Sequence, residues 1–204
     1  MKGKLTMNHK NAGICTKGLL GLVLLGCGIL TTVTALTIPA FAHASETADP
    51  VKQFAGRFSK HFPNSDIDGH RYWSDNVVEI VPVSTNAAYF RIHLEFYNGH
   101  ACSLSGVAQA SGSGLRYQTV IPVYDFSSRG MKNGQCVLQI SKQDNHLLLK
   151  ELDPDMGCKY NYCGTRGEFD GVTLPWKSHR SISYMQKLKT SNEYRDALKR
   201  WQNR

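Results

Sequence analysis

Four cysteines, Cys102, Cys136, Cys158 and Cys163, carry the plainest chemistry in this chain. Metal ligation and disulfide formation are the two uses to weigh. A structural zinc site is built from close thiolate pairs or nearby histidines. The intervals between these cysteines are unlike that, and His100 next to Cys102 falls in a turn or on the opposite strand face. An even number of cysteines in an exported domain reads instead as two disulfides, with three connectivities open. Cys158 and Cys163 are close enough to close a local turn. Cys102 and Cys136 fall in two predicted strands and are expected to pair across a sheet.

The segment CKYNYCGTRGEFDG, Cys158 to Gly171, raises the second question. Gly164, Gly167 and Gly171 mark tight turns or positive φ. Arg166 is held out between two of them. Its guanidinium either closes its own loop through carbonyls or Asp170, or grips a carboxylate or phosphate with two hydrogen bonds. Arg166, His100 and Asp170 are therefore the candidate binding residues. For catalysis, His93 and Glu95 share a strand face and form a possible acid–base pair, with His100 and Asp170 as a second pair. Simple alternation on a solvent-facing strand produces the first pair without any selection for activity. Ser103 and Ser105 flank a turn with no nucleophile elbow around them. The SGSG at 111–114 leads into a strand, so no helix N-terminus is offered to a phosphate. Asp66 and Asp68 resemble the start of a calcium loop, but the glycine and glutamate it requires are out of register. No catalytic residue, metal or cofactor is assigned.

These side chains are carried on a chain of 204 residues with a formal charge of +8. Lys2, Lys4, Lys10 and Lys17 precede a long apolar stretch, Gly18 to Ala42, and no acid occurs before Glu46. That pattern, ending in AFAHAS, is a secretory signal with cleavage expected after Ala44. The apolar stretch is also long enough to span a bilayer if it is not cleaved. LLGC ending at Cys27 looks like a lipoprotein box, but the residues after it are apolar. Each reading puts residues 45–204 outside the cytoplasm: periplasmic or secreted, or anchored in the inner membrane. Without the first 44 residues the chain has 160 residues, 20 basic against 16 acidic, a net +4. Nucleic acid is not an expected partner for an exported domain of such modest charge. An envelope protein or a cell-wall ligand is, with membrane contact only through an uncleaved N-terminal segment.

The rest of the sequence is mainly β. Val51, Phe54, Ala55, Phe58 and Phe62 have helical spacing, which predicts a helix over 49–62 capped by Asp49. NSDIDGHRYW reads as loop. Strands follow at 76–83, 87–97, 101–110, 115–124, 135–141 and 146–152. In the strongest of them Ala88, Phe90, Ile92, Leu94 and Phe96 lie on one face. Asn98-Gly99 is a hairpin turn signal. Thr190 and Glu193 form a capping box before a C-terminal helix over 190–202, whose Tyr194, Leu198 and Trp201 suit packing on the barrel. The expected fold is a small antiparallel β-barrel or curved sheet of six or seven strands with an N-terminal and a C-terminal helix.

FYNGHACSLSGVA (96–108), YCGTRGEFDG (162–171) and LKTSNEYRDAL (188–198) resemble a family of uncharacterised exported bacterial proteins with NGHxCSxxGxA, YCGxRGxxDG and LKxSxxY motifs. The resemblance covers most of residues 45–204. It implies a stapled barrel and brings no activity. In architecture the chain is similar to small periplasmic β-barrel proteins of the lysozyme-inhibitor kind. The expected function is a non-enzymatic binding or inhibitor module. The Cys158–Gly171 loop and the Asn98–His100 turn are its expected contact surface. The alternative is a cell-envelope hydrolase.

Overall fold

A computed structural model describes residues 49–125 and 127–204. The predicted signal or anchor segment, with Cys15, Cys27 and the cleavage site, lies outside the described residues. Eight antiparallel strands follow one another in simple order: β1 (Gly56–Ser65), β2 (Arg71–Pro82), β3 (Ala87–Glu95), β4 (Ala101–Ser111), β5 (Gly114–Asp125), β6 (Gly130–Gln143), β7 (His146–Glu151) and β8 (Thr173–Pro175). They curl into a nearly closed barrel. Closure comes from the segment after β8. Arg57 and Arg180 exchange main-chain hydrogen bonds of 2.8 and 3.0 Å, and the Ser59 amide donates to Ser178 Oγ. The interior is filled by Phe54, Phe58, Phe90, Leu94, Leu115, Leu138, Ile140 and Phe169, all fully buried, so the barrel holds side chains rather than a ligand chamber.

Strand count and first helix differ from the sequence reading. The predicted helix over 49–62 is a short α1 (Pro50–Phe54) followed by β1. Asp49 does cap it, accepting from the Val51 and Lys52 amides. Gly56, at φ 141°, turns the chain out of the helix, and Phe58 and Phe62 also satisfy a period of two. The stretch read as loop at 64–73 supplies the ends of β1 and β2, with a tight turn at 66–70 between them. Asn98 and Gly99 do turn with positive φ between β3 and β4.

Both predicted disulfide pairs are wrong. The bonds are Cys102–Cys163 and Cys136–Cys158. A short helix, α2 (Gly157–Tyr162), not foreseen in the sequence, explains both errors. Cys158 and Cys163 are five residues apart at about 100° each, so they leave it in directions about 140° apart. One reaches β6 and the other β4. Cys102 and Cys136 cannot meet because β5 lies between their strands. Both bonds form in an oxidising compartment. Among the described residues no helix is long and apolar enough to cross a membrane.

The C-terminal helix α4 (Asn192–Gln202) starts two residues later than predicted. Ser191, not Thr190, is its cap, accepting from the Tyr194 amide at 3.2 Å. With α3 (Met185–Lys189) before it, α4 covers the outer face of the barrel. Tyr194 meets Tyr89 edge-on at 4.7 Å, and Ile182, Leu188 and Ala197 complete a second small core there.

Candidate binding cleft

β4 and β5 part company. Their pairing is confined to three positions next to the Gly112-Ser113 turn, ending at Gln109–Arg116. Below that, β4 pairs only with β3 and β5 only with β6. The wall of the barrel is therefore split along a seam. Tyr117 fills the inner side of the split. A Cβ on Gly106 would overlap its ring, so the glycine of CSLSGVA lets the tyrosine lie against β4. Tyr162, from α2, sits near Tyr117 at the floor. Burial pushes its hydroxyl pKa above the ordinary tyrosine range, and Tyr117 adds to the shift.

Outside Tyr117 the seam opens into two adjoining hollows of about 580 and 480 Å³. One wall is β5, with Gln118, Thr119 and Val120. The other is the last turns of α4 and the residues after it, with Lys199, Arg200 and Arg204. No acid lines the larger hollow. Glu193 lines the smaller one, already 3.6 Å from Arg91. The chemistry on offer is cationic and hydrogen-bonding, in an open and elongated cleft. A cation–ring contact, Arg204 over Tyr117 at 5.8 Å, ties the chain end to the floor.

The lower end of the seam is bridged by α2, bonded through Cys163 to β4 and through Cys158 to β6. The Gly164 amide donates to Ala101 O at 2.8 Å. A Cβ on Gly167 would lie 2.6 Å from Cys102 Sγ, so this glycine serves close packing on the disulfide; only Gly171 of the three has positive φ. The CKYNYCGTRGEFDG segment and the Asn98–His100 turn thus meet in space. His100 abuts Gly164, and the Arg166 guanidinium lies 5.5 Å over the Tyr97 ring. Asp170 is elsewhere, accepting from the Glu151 amide at 3.1 Å. So Arg166 and His100 share a surface and Asp170 does not join them. The His100–Asp170 acid–base pair is not formed. Glu151 accepts from the Cys158 and Lys159 amides, fixing the start of α2. Burial raises its carboxyl pKa against those hydrogen bonds.

A polar face not foreseen in the sequence lies on the outside of β1–β4. Glu79 is fully buried there, gripped by Arg91, by the Tyr184 hydroxyl and, at 3.7 Å, by Arg57. Burial works against the Arg91 charge, but Glu79 more than offsets it, and the guanidinium binds its proton more tightly than usual. This clamp holds the chain leading into α3 on the barrel. The only sequence signal was an acid in an apolar strand, and alternation made it look exposed. Next to the clamp, His93 Nδ1 is 3.0 Å from Ser103 Oγ, and His93 Nε2 is 3.4 Å from Glu95, which also accepts from Ser74 Oγ at 2.6 Å. His93 and Glu95 are therefore brought together as expected, with Ser103 added by the register of β3 and β4.

Compared with protein-family models, with curated proteins and with solved structures, the chain matches nothing.

Proposed function

We propose that residues 45–204 form an exported, non-enzymatic binding module of the cell envelope, periplasmic after cleavage of the N-terminal signal. Its ligand is an elongated anionic group of an envelope protein or cell-wall polymer, taken in the β4–β5 cleft. The carrying observation is the larger hollow, with Lys199, Arg200 and Arg204 on one wall and no acid in its lining. The two disulfides, which require an oxidising compartment, support the location. Inhibition of an envelope enzyme is one form such binding takes.

A photo-cross-linking residue placed at Gln118 in the exported protein tests this against the stapled end, where Arg166 takes the same probe. Adducts from Gln118 that vanish when Lys199 and Arg200 become Glu support the cleft. Adducts from Arg166 alone move the contact surface to the loop and turn, and remove this proposal.

The Ser103–His93–Glu95 arrangement favours a second reading, a hydrolase in which His93 takes the Ser103 proton and Glu95 orients the ring. All three side chains are exposed or half-exposed, where electrostatic stabilisation of a transition state is weak. A fluorophosphonate probe that labels the wild type but not Ser103→Ala would establish this reading; an unlabelled wild type disposes of it.

A further inference from the structure

We propose that the cleft, read as above as a site for an elongated anionic ligand, takes a peptide segment by strand addition to β5. The parity of the hydrogen-bonding groups leads there. Ser111 and Gly114 close a two-residue hairpin, so Gly114 and Arg116 point their main-chain groups at β4. Alternation then turns those of Gln118, Val120 and Pro122 into the seam. An independent bond agrees. The Leu152 amide donates to Val137 O at 2.8 Å, so odd positions of β6 face β7 and even ones face β5. Cys136 and Leu138 thus bond to Thr119 and Tyr117, leaving the even positions of β5 for the seam.

Pro122 fits this assignment. Proline is tolerated in a strand where its missing N–H faces no partner strand, and here it faces the seam. The edge it marks is long and exposed. Val120 is 65 % exposed, and further along the same face of β5 Tyr124 is 52 % exposed. An exposed strand edge with apolar outward side chains is a template for another chain. The Val120 carbonyl receives a long 3.5 Å contact from Thr119 Oγ1.

Charge decides which chain. A second copy, paired about a two-fold axis at Val120, would bring Lys199, Arg200 and Arg204 of both copies onto one seam. It would also set Gln118 opposite Pro122, where one donor is missing. An acidic extended segment of a partner protein meets neither obstacle. It would gain hydrogen bonds from β5 and charge pairing from α4.

The test uses the disulfide-bonded 45–204 domain and a library of blocked peptides. In these, Asp or Glu alternates with Val, Ile, Phe or Tyr, in both registers. The expected result is binding that N-methylation of the peptide at alternate amides abolishes for one parity and spares for the other. Val120→Pro, which leaves the β6 ladder untouched, should weaken binding about tenfold, the loss of one or two hydrogen bonds. If Lys199→Ala and Arg200→Ala weaken binding while N-methylation at either parity does not, strand addition is overturned and the anionic cleft stands. If no library member binds, strand addition is overturned; if peptides bind but ignore all of these changes, the anionic cleft falls with it.

Discussion

The two flanks of β4 are built in opposite ways. Toward β3 it pairs over nine positions, from Ala101–Glu95 to Gln109–Ala87, under a second core supplied by α3 and α4. Toward β5 it pairs over three, and the lower end of that side is bridged by α2 with a covalent bond at each end. A ladder spreads its stabilisation over many weak bonds and leaves no gap. Two staples hold strands at fixed separation and leave the space between them usable. The comparison teaches that the disulfides here do more than stabilise a small domain. They take the place of strand pairing at the one flank where pairing is given up.

The largest expected effect breaks that substitution. Replacing Cys102 and Cys163 by Ala removes a loop of sequence separation 61, worth about 4 kcal/mol by chain entropy; replacing Cys136 and Cys158 removes one of 22, about 3 kcal/mol. Denaturant unfolding measures both. Hydrogen exchange should quicken first in the β5–β6 ladder beside the staples, at Tyr117, Thr119 and Ile121, with the β3–β4 ladder protected. Uniform loss of protection would contradict the division. On the paired flank, Glu79→Leu leaves Arg57 and Arg91 without their buried partner and should cost about 3 kcal/mol, with loosening of α3 and α4 seen in the same exchange experiment. Next is the seam's own packing. Gly106→Ala presses on the Tyr117 ring and should cost about 2 kcal/mol, largely recovered by adding Tyr117→Leu. A Gly106→Ala protein as stable as the wild type would show that the ring does not need the glycine. The smallest effect concerns α2. The folded-state pKa of Glu151 is raised, so its carboxyl favours the folded state below the unfolded value, about pH 4, and that contribution is lost as pH rises through the folded value. Relative to Glu151→Gln, the wild type should therefore lose stability with rising pH over the acidic range. Parallel pH curves would rule this out.

Much of the paired flank was legible in the sequence. The alternation from Ala88 to Phe96, the returning Cys102–Ala108 face and the Asn98-Gly99 turn each specify local structure, and local structure is what period and turn chemistry report. The first helix misled because Phe54, Phe58 and Phe62 fit a period of four and Phe58 and Phe62 also a period of two. The seam was not legible at all. It depends on where two well-formed strands stop pairing, and nothing local to Tyr117 or Gly106 announces that. The disulfides failed for a related reason. Nearness in sequence favoured Cys158 with Cys163, but the intervening turns of α2 point them apart. Of the candidate residues, Arg166 lies over Tyr97 and His100 against Gly164, because the register of β3 and β4 and the Cys102–Cys163 bond bring the loop and the turn together. The cations of the cleft, Lys199, Arg200 and Arg204, read only as the basic end of a helix.

The connectivity has a consequence for biogenesis. Among Cys102, Cys136, Cys158 and Cys163 the bonds are nested, first to last and second to third, so for an exported chain the order of emergence from a translocon is the wrong order of pairing. An oxidant joining thiols as they appear would link Cys102 to Cys136 and then Cys158 to Cys163, a combination the barrel cannot contain. A cell that exports this chain must therefore either delay oxidation until Cys158 and Cys163 have followed, or keep an isomerase at hand to reshuffle what was joined too early.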